Sequence, residues 1–214
     1  MKRKSSGGDG PLNWPDDPKN VTGADVDFKA LAHVLANTCR RGGCTRHYHS
    51  VAAHAVFVSE EIEALDGLAG EDRRRLALHA LVADAPSAWL RGAAPGSQRA
   101  ADRTGRLATG IEAAVREAAG LDAELDEEQA ELLRFVTRMA AATESRDLFE
   151  PGSGGAGGPG GAGVAFPPLK RRIRSIAPDK AAEAWLARFR ALAGEREAPG
   201  RESGDKGAAD APAS

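Results

Sequence analysis

Apolar residues recur at helical spacing along almost the whole chain, and no stretch of useful length alternates apolar with polar residues as a half-buried strand would. Phe28, Leu31, Ala32, Leu35 and Cys39 form one stripe. Val51, His54, Ala55, Val58, Ile62 and Leu65 form a second, with Ser50 placed to cap its N-terminus. Asp72 to Leu90 is rich in Ala and Leu, too long and too poor in β-branched residues for a strand, and reads as a single central buried helix. Thr104, Leu107, Ile111, Val115 and Ala118 make another stripe, closed by Gly120 at a C′ position. Leu132, Leu133, Val136, Met139 and Ala140 make a fifth. A last helix is predicted over Pro178 to Leu192 through Ala182, Trp185, Leu186 and Phe189. Trp89 and Trp185, set among aliphatics, read as core anchors. Only Leu169 to Ile176 suggests a short extended segment. The fold class is all-α, a bundle of about six or seven helices.

The 214 residues suit one globular domain with tails. Residues 1–11 and 195–214 are Ser-, Gly-, Ala- and charge-rich and offer too little apolar surface to offset their ordering entropy, so both are predicted to be disordered. The domain is assigned to residues 12–194. It contains a flexible loop at 151–166, where Gly152 to Gly163 holds eight glycines in twelve residues. No window approaches the roughly 18 unbroken apolar residues of a membrane span, and Met1 to Gly10 is not followed by the apolar stretch of a signal peptide. A cytoplasmic protein that does not engage a membrane is the expectation. Cys39 and Cys44 lack paired CxxC spacing and read as reduced thiols. With 29 Lys+Arg against 31 Asp+Glu, a dedicated nucleic-acid binder is not expected, since that function calls for a strongly basic face.

Four segments, in order, carry a family likeness. Val26 to Leu35 leads into Arg40-Arg-Gly-Gly-Cys-Thr-Arg-His-Tyr-His-Ser-Val-Ala-Ala-His54. Then come Leu76-Ala-Leu-His-Ala-Leu-Val-Ala-Asp-Ala-Pro-Ser-Ala-Trp89, Thr143-Glu-Ser-Arg-Asp-Leu-Phe149, and the closing stretch from Arg172 to Phe189. Together they resemble the HD-domain metal-dependent phosphohydrolases of the bacterial deoxynucleotide 5′-nucleotidase-like branch. The likeness covers roughly Leu12 to Glu150 and Pro167 to Leu192. It implies a helical HD fold and phosphomonoester hydrolysis at a divalent metal such as Mn²⁺, Co²⁺, Ni²⁺ or Mg²⁺. The metal would polarise the phosphate and generate a nucleophile from bound water. It further implies a nucleotide or phosphate ligand, and homodimers are frequent among such proteins.

Residue by residue, the likeness places His54 at the first metal ligand and Asp84 at the aspartate of the name-giving doublet. Ala83 stands where that doublet has its histidine, and gap-free counting from Thr143 puts Thr137 at the final aspartate. Ser87 and Gly92 replace the assisting Glu and the later Asp, Ala53 replaces the Glu just before the His54 position, and Cys44 replaces a histidine. The change at Ala53 also removes the capping-box partner of Ser50. Two of four ligands survive as a remnant pair. A hydroxyl substitutes poorly for a carboxylate on a divalent cation, so the domain is expected to be a degenerate, catalytically impaired member that binds a ligand or partner. No residue is assigned as catalytic. Arg41, Arg46 and His47 lie in the segment resembling a phosphate-contacting region, where charge-assisted bonds could hold an anion. A second expectation is an active nucleoside monophosphate phosphomonoesterase with a rearranged metal site, drawing replacement donors from Cys44, His47, His49 and Asp84. His79 lies one turn, about 6 Å, before Ala83. Lys170, Arg171, Arg172 and Arg174 form a basic cluster that reads as a solvated face. Glu144, Arg146 and Asp147 read as ion-pairing residues that hold a helix end.

Overall fold

The computed structural model describes residues 21–90, 98–121, 124–150 and 166–194. Both expected tails, Trp14, Gly92 and all of the Gly-rich loop except Phe166 lie outside them. Seven α-helices make up the described domain: α1 (Phe28–Asn37), α2 (Val51–Glu63), α3 (Gly70–Val82), α4 (Pro86–Trp89), α5 (Gln98–Ala118), α6 (Glu127–Leu148) and α7 (Pro178–Ala193). Among the described residues there is no strand, only an isolated bridge between Cys39 and Ser50. The all-α reading holds. No described helix is long and apolar enough to cross a membrane.

Local chemistry sets the helix ends. Asp27 caps α1 by accepting the Lys29 and Ala30 amides at 2.8 and 3.2 Å. Ser50 caps α2 through the Ala53 amide at 3.1 Å, and Asp126 caps α6 through Gln129 at 2.8 Å. At the end of α5, Leu121 donates to the Arg116 carbonyl and Gly120 to that of Glu117, with Gly120 at φ +70°. That double closure is a Schellman motif, which glycine completes without the steric cost a Cβ would add.

The expected single helix from Asp72 to Leu90 is instead two. Pro86 has no N–H to offer the Val82 carbonyl, which takes the Ala85 amide at 3.0 Å, and the chain turns before restarting with Pro86 at the first position of α4. This break places Asp84 at a corner with its side chain 39% exposed, rather than inside a buried helix.

α2 packs most extensively on α3, and α1 on α7, with α7 also lying across α2 and α3. Leu31, Leu35, Ile62, Leu76, Leu81, Ile111 and Val115 are fully buried in the shared core. Trp185 is fully buried too, its indole N–H donating to the Leu81 carbonyl at 3.2 Å and its ring stacked with Phe28 and Phe189. Trp89 is only partly buried against the same core.

The segment expected to be extended, Leu169 to Ile176, forms no strand and is held by side chains. Arg146 donates to the carbonyls of Leu169 and Arg171 at 2.7 and 3.0 Å. Asp147 accepts from the Ile173 amide at 2.9 Å and Arg172 at 2.7 Å, and Thr143 Oγ1 accepts from the Leu169 amide at 2.8 Å. The end of α6 thereby straps the chain down before α7 begins. Within the basic cluster, Arg171 pairs with Glu60 and Glu61 and sits 4.3 Å from the centre of the Phe57 ring, so it joins this strap to α2.

Candidate functional site

Three elements converge on one carboxylate. The loop between α1 and α2 is pinned at its base, where the Arg40 amide donates to the His49 carbonyl at 2.8 Å and the Val51 amide to Thr38 at 3.0 Å. Its tip, Arg40–Gly43, winds through left-handed backbone at Arg41 (φ +57°), Gly42 and Gly43. Such a conformation is strained for a side-chain-bearing residue, and Arg41 is held in it by its own bonds to α6. Its Nε donates to Glu144 Oε2 at 2.8 Å and its Nη2 to the Ala141 carbonyl at 3.3 Å.

Glu144 is the hub. On the buried face of α6 with Ala140, Thr143 and Leu148, it has no exposed side-chain surface. Its Oε1 receives Arg40 Nε at 2.8 Å, stands 2.5 Å from His54 Nδ1 and lies 3.4 Å from His49 Nε2. Arg40 reaches onward to Asp84 Oδ2 at 3.5 Å, and His54 Nε2 lies 3.8 Å from the same oxygen. Two carboxylates therefore face two guanidiniums.

Burial by itself would raise the Glu144 carboxyl, but the imidazoles of His49 and His54 and the positive charge of Arg40 hold it far below the usual carboxylate range. Burial pushes the His54 imidazole down; the bond to Glu144 opposes this and the Arg40 charge adds to it. Asp147 is also held low, first by its bond to Arg146, then by the Ile173 amide and Arg172.

The expected site residues are distributed unevenly. His54 and Asp84 do come together, and Arg41 joins them through Glu144. Arg46 and His47 do not. The Arg46 amide and guanidinium bond to the Leu148 and Asp147 carbonyls at the end of α6, and His47 is exposed on the same loop. Ala83 lines a cavity of about 260 Å³ with His79, Glu112 and Arg116, where α3, α5 and α6 meet. Thr137 lines a neighbouring one and spends its hydroxyl on the Leu133 carbonyl at 2.8 Å. The four positions implied by the family likeness thus offer a metal one imidazole and one carboxylate already engaged by Arg40, which does not fit a divalent phosphohydrolase centre. Ser87 turns its hydroxyl back to the Asp84 carbonyl at 2.7 Å, and Cys39 and Cys44 are exposed free thiols.

Spacing alone did not single out Arg40 and Glu144 as partners. Their signal lay in the quoted segments themselves: a doubled arginine before two glycines, and a glutamate placed on the apolar face of α6.

No family model matches the chain. The chain is similar to a protein of Escherichia coli (strain K12) described as "Uncharacterized protein YfdR", with 28% identity over 124 residues, 58% of this chain and 62% of that relative. It therefore spans less than two thirds of the length of the curated relative it matches.

Proposed function

We propose that this chain is an HD-domain-like protein, resembling metal-dependent nucleotide phosphohydrolases, whose catalytic metal centre is partly lost and whose remaining pocket binds an anionic ligand of the nucleotide or phosphate class. The observation that carries this reading is the Arg40 bridge between Glu144 and Asp84. Asp84, the surviving carboxylate of the doublet, is engaged by that guanidinium, while Ala83 and Thr137 bring no replacement donor. The mouth of the site still presents cationic surface, since the side chains of Arg40 and Arg41 are 20% and 16% exposed.

A thermal-shift series with nucleoside monophosphates and inorganic phosphate tests the reading. Binding to the native state stabilises it by RT ln(1+[L]/Kd), about 2.7 kcal/mol at a hundredfold excess over Kd. The melting temperature should rise with ligand, and Arg41→Ala should abolish the rise. In parallel, phosphomonoester hydrolysis with Mn²⁺, Co²⁺, Ni²⁺ or Mg²⁺ should not exceed that of His54→Ala.

A second reading, an active phosphomonoesterase with a rearranged divalent-metal site, is favoured by one observation, the convergence of His49, His54 and Glu144. Turnover above the His54→Ala background would establish it and overturn the first.

A further inference from the structure

The buried triangle of His49, His54 and Glu144 is a donor set different from the one implied by the family likeness, with Glu144 and His49 in place of Ala83 and Thr137. One ligand atom from each lies within 4.8 Å of the others. Their exposures are 1%, 3% and 0%. His49 stands out within it: its side chain is buried, its Nε2 makes only a long 3.4 Å approach to Glu144 Oε1, and neither ring nitrogen makes a well-formed hydrogen bond among the described residues. Buried polar atoms are ordinarily satisfied, and one that is not calls for an explanation such as an ion.

We propose that His49, His54 and Glu144 bind one divalent transition ion of the zinc class, with a solvent oxygen completing a tetrahedron. Zinc accepts this mixture of imidazole nitrogen and carboxylate oxygen at about 2.0–2.2 Å, which sets donor atoms ~3.3 Å apart. His49 Nε2 and Glu144 Oε1 already have that separation at 3.4 Å. His54 Nδ1, now 2.5 Å from Oε1, opens by about 0.8 Å as the ion replaces the shared hydrogen. With Nδ1 on the metal, His54 carries its hydrogen on Nε2, which faces Asp84 Oδ2 at 3.8 Å. Asp84 then orients the liganding imidazole from outside the coordination sphere, and Arg40 and Arg41 do the same for the Glu144 carboxylate. Three protein ligands with one solvent position match an open zinc coordination, and the inference does not depend on nucleotide binding: a failed thermal shift leaves it standing.

The test uses the full chain, stripped with chelator and titrated with Co²⁺ as a spectroscopic stand-in for Zn²⁺. One equivalent should bind with the intense visible bands of a tetrahedral site. His49→Ala should abolish those bands, whereas Asp84→Asn should weaken binding by about 10–100-fold while keeping them, as loss of a supporting partner does. X-ray absorption of the zinc-loaded wild type should count two imidazoles, a readout that holds even if a variant fails to fold. No binding by the wild-type chain, fewer than two imidazoles, or bands lost in Asp84→Asn but kept in His49→Ala would overturn the assignment.

Discussion

His54 and Glu144, ninety residues apart in the chain, meet at 2.5 Å between Nδ1 and Oε1 in a fully buried contact. The same carboxylate holds Arg40 and Arg41, so removing it strands two partly buried guanidiniums at once. Breaking a buried pair by deleting one partner costs about 3–5 kcal/mol. Glu144→Ala should lose that much in urea denaturation, with an unchanged slope against denaturant. A loss under 1 kcal/mol would show that the cluster does not hold the loop to α6.

Acid should weaken the fold in two steps of the same sign. His54 is depressed from its ordinary 6.5 and Glu144 from 4.5, so in each case the unfolded chain takes up its proton first as pH falls. Their contributions are complete above those ordinary values and fade below them, that of His54 from about pH 6.5 and that of Glu144 from about pH 4.5. Melting temperature should decline from pH 7 towards pH 4, and Glu144→Gln should flatten the lower part of that decline.

Asp147 ties the strap before α7 through one backbone amide and two arginines. Asp147→Asn keeps the shape but loses the charge and half of the accepting capacity. Hydrogen exchange at the Ile173 amide should accelerate by at least tenfold, and stability should fall by about 1–3 kcal/mol. Unaltered protection at Ile173 would mean that the strap is held by packing alone.

The Ser50 cap offers a smaller test of local design. With Ala53 unable to reciprocate, the hydroxyl bond to the Ala53 amide is the side-chain cap of α2. Ser50→Ala should cost about 1 kcal/mol, measurable as a drop in melting temperature.

How legible the molecule was depended on the range of the forces involved. The stripes through Leu31, Val58, Ile111 and Trp185 follow from helical period alone, as do the Ser50 cap and the Gly120 closure, because each is decided within a few residues. The break at Pro86 was legible in principle and outweighed by the apolar run around it. Glu144 reads from the sequence as an ion-pairing residue, but its depth does not follow, since an isolated glutamate on a helix is normally solvent-facing. Only the arrival of two arginines and His49 from the α1–α2 loop, and of His54 from α2, compensates its burial. That arrival is a tertiary fact, and the pairing of Arg46 with the end of α6 instead of the cluster is another.

The Glu144 hub joins residues separated by 90 to 104 positions, with Asp84 lying between them in sequence. Closing a loop of that length costs entropy that grows only as the logarithm of its size, but the closure cannot precede the docking of α6 against α2. The cluster is expected to form on the native side of the folding barrier, and a φ value near zero for Glu144→Ala would check it. Substitutions there should chiefly hasten unfolding and leave the refolding rate nearly untouched, which makes this charged knot a determinant of how long the native state lasts.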